Sequence, residues 1–166
     1  MKRLLVDVNV ALDALLTRPP HADAATRLWT AVEEKRGIGL LPAHGVTTLF
    51  YLVARARGAA TARRIVADTL TVFDVAPVDQ AVLTRALALA WPDFEDAVCA
   101  AAAAAAACDA IVTRDISGFR DTPVRAVHPA AALALLDEDS GPGRVAERAR
   151  AAYATRGSSR RPPRRR

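Results

Sequence analysis

Leu4-Leu5-Val6-Asp7-Val8-Asn9-Val10-Ala11-Leu12-Asp13 is the stretch on which the fold turns. A short unbroken apolar run ending in an aspartate suits a strand buried on both faces, since a strand covered on one face would alternate apolar with polar residues. Asn9 then stands where a helix N-cap belongs. Val10 to Leu16 carry apolar residues on most turns, up to a break at Pro19-Pro20.

Working outward, the same succession of strand and helix recurs. Ala25, Leu28, Trp29 and Val32 fall at i, i+3, i+4 and i+7 of a predicted helix from Ala22 to Arg36. Gly37 is expected to stop it, and Ile38-Gly39-Leu40-Leu41 reads as a second strand. Helices are expected from Gly45 to Arg57 and from Ala59 to Leu70, then a strand over Thr71 to Val75 and a helix capped by Asp79 running to Leu89. After Pro92 an acidic turn leads into eight alanines, Ala100 to Ala107, a helix by propensity with side chains small enough for close packing. Ala110 to Thr113 is a further strand, Val124 to Val127 a weaker one, and Ala130 to Leu136 a last helix. This order predicts an α/β domain whose mainly parallel sheet is covered on both faces.

Composition bounds the class. The 166 residues, 52% hydrophobic and 25% charged, suit one globular domain. The formal charge of +5 and isoelectric point near 10.0 suggest a nucleic-acid binder until the charge is mapped. Residues 140–166 hold nine arginines against Glu147 alone, a net of +8, which leaves 14 basic and 17 acidic residues, a net of −3, in residues 1–139. The folded body is therefore expected over 1–139, and 140–166, opened by Gly141-Pro142-Gly143, as an Arg-rich, largely disordered tail. Cys99 and Cys108, nine residues apart, are expected on opposite sides of one helix and unpaired. That points to a reducing, cytoplasmic setting. Asp7, Asn9 and Asp13 break up any signal-like apolar segment, and the run from Ala97 to Cys108 falls well short of the roughly 20 residues a bilayer needs, so no membrane role is expected.

The chemistry is carried by acids. Parallel α/β sheets bind ligands at the carboxyl ends of their strands, near a switch in strand order. Asp7 and Asp115 each follow a predicted strand, and Asp93 and Asp96 lie three residues apart at the start of the alanine-rich helix, with Glu95 expected to face away. Taken singly, these acids are explained as caps and turn formers. Four aspartates gathered at one edge repel one another unless a cation is present, and the cation implied is hard and oxygen-liking, Mg²⁺ or Mn²⁺. His21, His44 and His128 are not needed by such chemistry and read as surface or capping residues.

Leu5-Val6-Asp7-Val8-Asn9-Val10 with Leu12-Asp13, then Asp93-Phe94-Glu95-Asp96-Ala97, then Ile111-Val112-Thr113-Arg114-Asp115 with Phe119 resemble, in order and spacing, the motifs of PIN-domain proteins. Many of these are ribonuclease toxins of VapBC-type toxin–antitoxin pairs. The resemblance spans roughly Lys2 to Leu136. It implies a three-layer α/β/α sandwich with about five strands, divalent-metal-dependent cleavage of RNA, and an antitoxin that blocks the site; a homodimer is also implied. Carried over by position, Asp7, Asp96 and Asp115 are the metal-binding acids, Asp93 is a fourth catalytic acid, and Asn9 and Thr113 support them by hydrogen bonding.

The sequence departs from the family in the helix after strand two. The family usually has a glutamate there, and Thr48 stands in its place. Asp93 is the residue placed to substitute for it, and two readings follow: a working nuclease, or a weakened module that binds RNA or a protein partner without cleavage. Arg55, Arg57 and Arg114 are the candidate RNA contacts. A haloacid-dehalogenase-type phosphatase also begins with an aspartate after its first strand, but it needs an acid where Asn9 stands and a late lysine. Lys2 and Lys35 are the only lysines, which disfavours a phosphoacceptor receiver domain as well.

Overall fold

The computed structural model describes residues 1–139; the expected Arg-rich tail lies outside the described residues. Five strands, β1 (Arg3–Val6), β2 (Ile38–Pro42), β3 (Asp74–Ala76), β4 (Ala110–Val112) and β5 (Ala126–Val127), form one sheet in the order β3-β2-β1-β4-β5. Every pairing is parallel, with Leu5 opposite Leu40 on one side and Ile111 on the other. From β1 the chain builds outward through β2 and β3, then returns to the other flank with β4 and β5. The strand order therefore switches between β1 and β4.

Alternation within the strands sorts the helices into two layers. Leu4, Val6, Leu41, Ala110 and Val112 face one core, shared with α1 (Val8–Leu16), α2 (Ala22–Glu33), α3 (Ala43–Arg57), α4 (Ala59–Val72) and α7 (Pro129–Asp139). Leu5, Leu40, Ala76 and Ile111 face the other, against α5 (Gln80–Leu89) and α6 (Phe94–Ala105). The three-layer α/β/α sandwich is thus present. Ala97 to Ala103 of α6 are all buried, so the first half of the alanine run is core, lying close to the sheet because methyl groups let it, whereas α6 ends at Ala105 and Ala105 and Ala107 are exposed.

Several boundaries differ from expectation for local reasons. Asp7, not Asn9, is the N-cap of α1 and accepts from the Asn9 N–H at 3.1 Å. Lys35, at φ 59°, leaves the helical region before Gly37 can stop α2. The expected strand over Thr71 to Val75 is displaced: α4 continues through Val72, and the Phe73 ring is buried edge-on to Trp29 at 4.8 Å, which delays β3 to Asp74. Gly39 lies beneath that ring, where a Cβ would come within 2.7 Å of it. β4 ends at Val112 and leaves Thr113 in the following loop, while β5 spans only two residues. Cys108 lies beyond the end of α6, so the two cysteines do not share a helix; both are buried and free, within the same core. Among the described residues no helix is long and apolar enough to cross a membrane.

Candidate metal centre

Asp7 is held where β1 passes into α1, at the strand-order switch. Its backbone N–H donates to the Val112 carbonyl at 2.9 Å, continuing the pairing with β4. One carboxylate oxygen accepts from the Asn9 N–H, and the other from the Thr113 hydroxyl at 2.9 Å. Thr113, itself buried, also accepts the Asp115 N–H on Oγ1 at 3.2 Å. One side chain thereby ties the β1 acid to the loop that bears the β4 acid. Burial pushes the Asp7 carboxyl above its usual range, partly offset by the Asn9 and Thr113 hydrogen bonds and by the charge of Arg114. Asn9 contributes through its backbone.

Asp115 is exposed and caps a single 3-10 turn, Ile116–Gly118, accepting from the Ser117 N–H and hydroxyl. These bonds hold its carboxyl below the usual range. Asp93 is the N-cap of α6, and one of its oxygens accepts from the N–H groups of Glu95 at 2.9 Å and Asp96 at 3.1 Å. Its capping role is therefore real, and Oδ2 makes none of these bonds. Asp96, half-buried in the first turn of α6, is raised to about 6, first by desolvation and then by Asp93, Asp7, Asp115 and Glu95. Asp93, Asp96 and Asp115 line one cleft, and the charge of Asp7 also acts on Asp96.

A cleft of about 340 Å³ opens here, bounded by Trp91, Asp93, Asp96, Asp115, Gly118 and Arg120. Gly118 decides its shape, because a Cβ there would run into Asp96 Oδ2. Trp91 stands edge-on to Phe119, with ring centroids 6.0 Å apart, and presents an aromatic surface beside the acids. Arg120 Nε donates to the Ser117 carbonyl at 3.2 Å on the rim. Trp91 and Gly118 were not expected as site residues; the Trp91-Pro92 pair directly before Asp93 was the available signal.

Other residues lie elsewhere than expected. Glu95 does not face away: its carboxylate is 3.8 Å from His44 Nε2, and the half-buried imidazole is 3.9 Å from Cys99 Sγ. Desolvation lowers the His44 pKa, opposed by the charges of Glu95 and Asp7, so this histidine borders the acids. Thr48 donates its hydroxyl back to the His44 carbonyl at 3.3 Å. Arg55 and Arg57 occupy the last turn of α3, and Arg55 is 11 residues beyond His44, about 16 Å along the axis at 1.5 Å per residue. Arg55 lies over the exposed Tyr51 ring instead, 5.7 Å from its centroid. Arg114 pairs with buried Asp13.

The donor chemistry fits a hard divalent cation: carboxylate oxygens from β1, α6 and the loop after β4, with a raised Asp96 that a positive charge would relieve. No three acidic, histidine or cysteine side chains among the described residues already converge tightly enough to grip one ion together. The fit is in charge and ligand type.

Residues 3–117 match the family model described as PIN domain. No curated protein sequence matches significantly. Among solved structures, VapBC2 from Rickettsia felis bound to a promoter DNA fragment is similar at 13% identity and TM-score 0.60, covering 76% of this chain and 98% of that one. VapC20 from Mycobacterium tuberculosis, described as a Sarcin-Ricin loop cleaving toxin, is similar at 21% identity and TM-score 0.59, covering 74% and 98%. A toxin–antitoxin complex from Klebsiella pneumoniae matches at 19% identity and TM-score 0.59, covering 76% and 97%.

Proposed function

The chain belongs to the PIN-domain family, and on that premise we propose that it is a Mg²⁺- or Mn²⁺-dependent endoribonuclease, the toxin of a type II toxin–antitoxin module. The observation that carries this reading is the carboxylate cluster at the β1/β4 switch, where Asp96 is raised to about 6 by desolvation and its acidic neighbours. The toxin and toxin–antitoxin descriptions of the similar structures support RNA as substrate and a cognate antitoxin as partner.

In this reading Asp7, Asp96 and Asp115 hold the cation. A divalent cation held there would supply charge neutralisation of the acids, polarisation of a substrate phosphate and a water of lowered pKa. The chain's own groups do the rest. Thr113 and the Asn9 N–H fix Asp7 so that its carboxylate need not reorganise. Asp93, whose Oδ2 is not used in capping, orients the attacking water. Trp91 offers a base a stacking surface beside the acids, and Arg120 on the rim meets backbone phosphate. Water attacks phosphorus as the ester bond to the leaving nucleotide breaks, so the products are two shorter strands.

The decisive experiment is incubation of antitoxin-free protein with a mixed RNA pool and Mg²⁺ or Mn²⁺, followed by mapping of the new ends. Cleavage that is lost with chelator and in Asp96→Asn is expected. A second reading, binding without cleavage, is favoured by Thr48, which stands in the place of the family's glutamate with its hydroxyl turned into the helix. RNA binding with neither cleavage nor metal uptake in calorimetry would select it.

A further inference from the structure

Asp13 is a charged residue in an apolar helix, with Ala11, Leu12, Ala14 and Leu15 around it in sequence, and it is fully buried. Oδ1 pairs with Arg114 Nη1 at 3.3 Å, and Oδ2 has no hydrogen-bond partner. A buried carboxylate half satisfied in this way is costly, and replacing a buried ion pair as a whole by well-packed apolar residues is often neutral or stabilising. Its reason for being there is better sought in what it does to its partner. Arg114 sits between Thr113, which donates to Asp7, and Asp115. The loop after β4 therefore grips α1 twice, at Asp7 through Thr113 and at Asp13 through Arg114.

We propose that Asp13 is a positioning residue that keeps the Arg114 guanidinium from pairing directly with Asp7, leaving for a cation the carboxylate lone pairs that Asn9 and Thr113 do not use. A guanidinium matches a carboxylate with two parallel N–H donors and occupies the lone pairs that a metal would use. Without Asp13, Arg114 would be free to turn to Asp7, on whose carboxyl its charge already acts. Both charges already act on Asp7, Arg114 favouring its ionised form and Asp13 opposing it. On this account Arg114 serves the site from behind, and Asp13 is what stops it from becoming an internal competitor of the metal. The inference rests on the metal-binding reading above.

The test is Mn²⁺ titration by calorimetry of the full chain as wild type, Asp13→Asn and the double variant Asp13→Asn/Arg114→Gln, with circular dichroism to establish folding. Asp13→Asn is expected to weaken Mn²⁺ binding about tenfold, the size of a close-pair coupling, and the added Arg114→Gln to restore it to within about threefold of wild type. A purely structural role predicts the opposite, a double variant no better than the single one. Unchanged binding by Asp13→Asn, or a double variant as weak as the single, overturns the proposal. If Asp13→Asn does not fold, the double variant, with two neutral amides facing each other, decides alone: a tenfold loss of Mn²⁺ affinity overturns it and near-wild-type affinity supports it. No Mn²⁺ uptake by the wild type would remove the metal-site reading and this one together, whereas uptake by wild type and Asp13→Asn alike would remove this one only.

Discussion

The two halves of the acidic site are built on opposite principles. Asp7 is half-buried, with both carboxylate oxygens accepting hydrogen bonds, from Asn9 and Thr113, and with the charge of Arg114 acting on it. Asp96, Asp93 and Asp115 line an open cleft, and the charges that act on Asp96 are other carboxylates. The first half is tied down at both oxygens; in the second, Asp93 and Asp115 are each held by cap bonds, and Asp96 is the acid that its carboxylate neighbours push up. On the proposed reading, such a site would offer a cation one pre-set ligand, Asp7, and three acids on the cleft side.

The sharpest way to break this contrast is to neutralise one acid from each half. Asp7→Asn and Asp96→Asn are both expected to lower RNA cleavage by on the order of 100-fold or more, since each removes a charge the metal needs. Their effects on the metal-free protein should differ. A carboxyl moved from 3.8 to about 6 corresponds at full strength to about 3 kcal/mol, which solvent screening of a half-exposed group reduces to on the order of 1. Asp96→Asn should therefore raise the melting temperature at pH 7 by about 3 °C. The sign follows from linkage: with its folded pKa raised, Asp96 favours the folded state below about pH 4, and this contribution is lost as pH rises through about 6. Thermal melts from pH 4 to 7 should show that decline in wild type and a flatter profile in Asp96→Asn. Metal affinity should move the other way, weakening as pH falls through about 6. Identical pH profiles in the two proteins would mean that the cleft is not charge-frustrated.

A smaller effect separates the supports of the two halves. Thr113→Val removes the hydroxyl between Asp7 and the Asp115 N–H, and should cost about 1 to 2 kcal/mol in urea denaturation because it leaves buried polar groups short of a partner. Gly118→Ala places a methyl group against Asp96 Oδ2, at the exposed turn. It should leave stability within about 0.5 kcal/mol while weakening Mn²⁺ binding several-fold. If Gly118→Ala instead destabilises as much as Thr113→Val, the cleft side is as rigid as the strand side and the contrast fails.

The same division explains what could be read in advance. Leu4-Leu5-Val6-Asp7 and Ile111-Val112-Thr113-Arg114-Asp115 announce strands ending in acids because burial on both faces demands unbroken apolar runs, and the alanine run announces a packed helix. The parallel sheet and the gathering of Asp7, Asp93, Asp96 and Asp115 follow from those local patterns plus the rule for switch points. What sequence did not reveal depends on pairs distant along the chain. Asp13 and Arg114 are 101 residues apart, and Glu95 meets His44 across 51 positions. Gly118 looks like an ordinary turn glycine until Asp96 is placed against it. The late start of β3 has the same origin, since Thr71-Val72-Phe73 is a strand-forming run that the packing of Phe73 on Trp29 leaves at the end of a helix.

The weakest expected effect concerns charge outside the site. Residues 1–139 are net −3 and residues 140–166 net +8, so the excess of positive charge lies at one end of the sequence, and on the proposed reading an acidic body would have to meet a polyanionic substrate. If that end serves as an electrostatic tether, deleting residues 143–166 should weaken RNA binding in filter assays at low salt. The salt slope should also become shallower, by about 0.7 for each single-strand phosphate that the arginines no longer neutralise. Metal-dependent cleavage at saturating RNA should be unchanged, because the acids and their supports all lie within residues 7–118. Loss of cleavage at saturation would place the arginines in the chemistry itself, and would erase the distinction between a site that binds metal through its acids and a separate segment that gathers substrate.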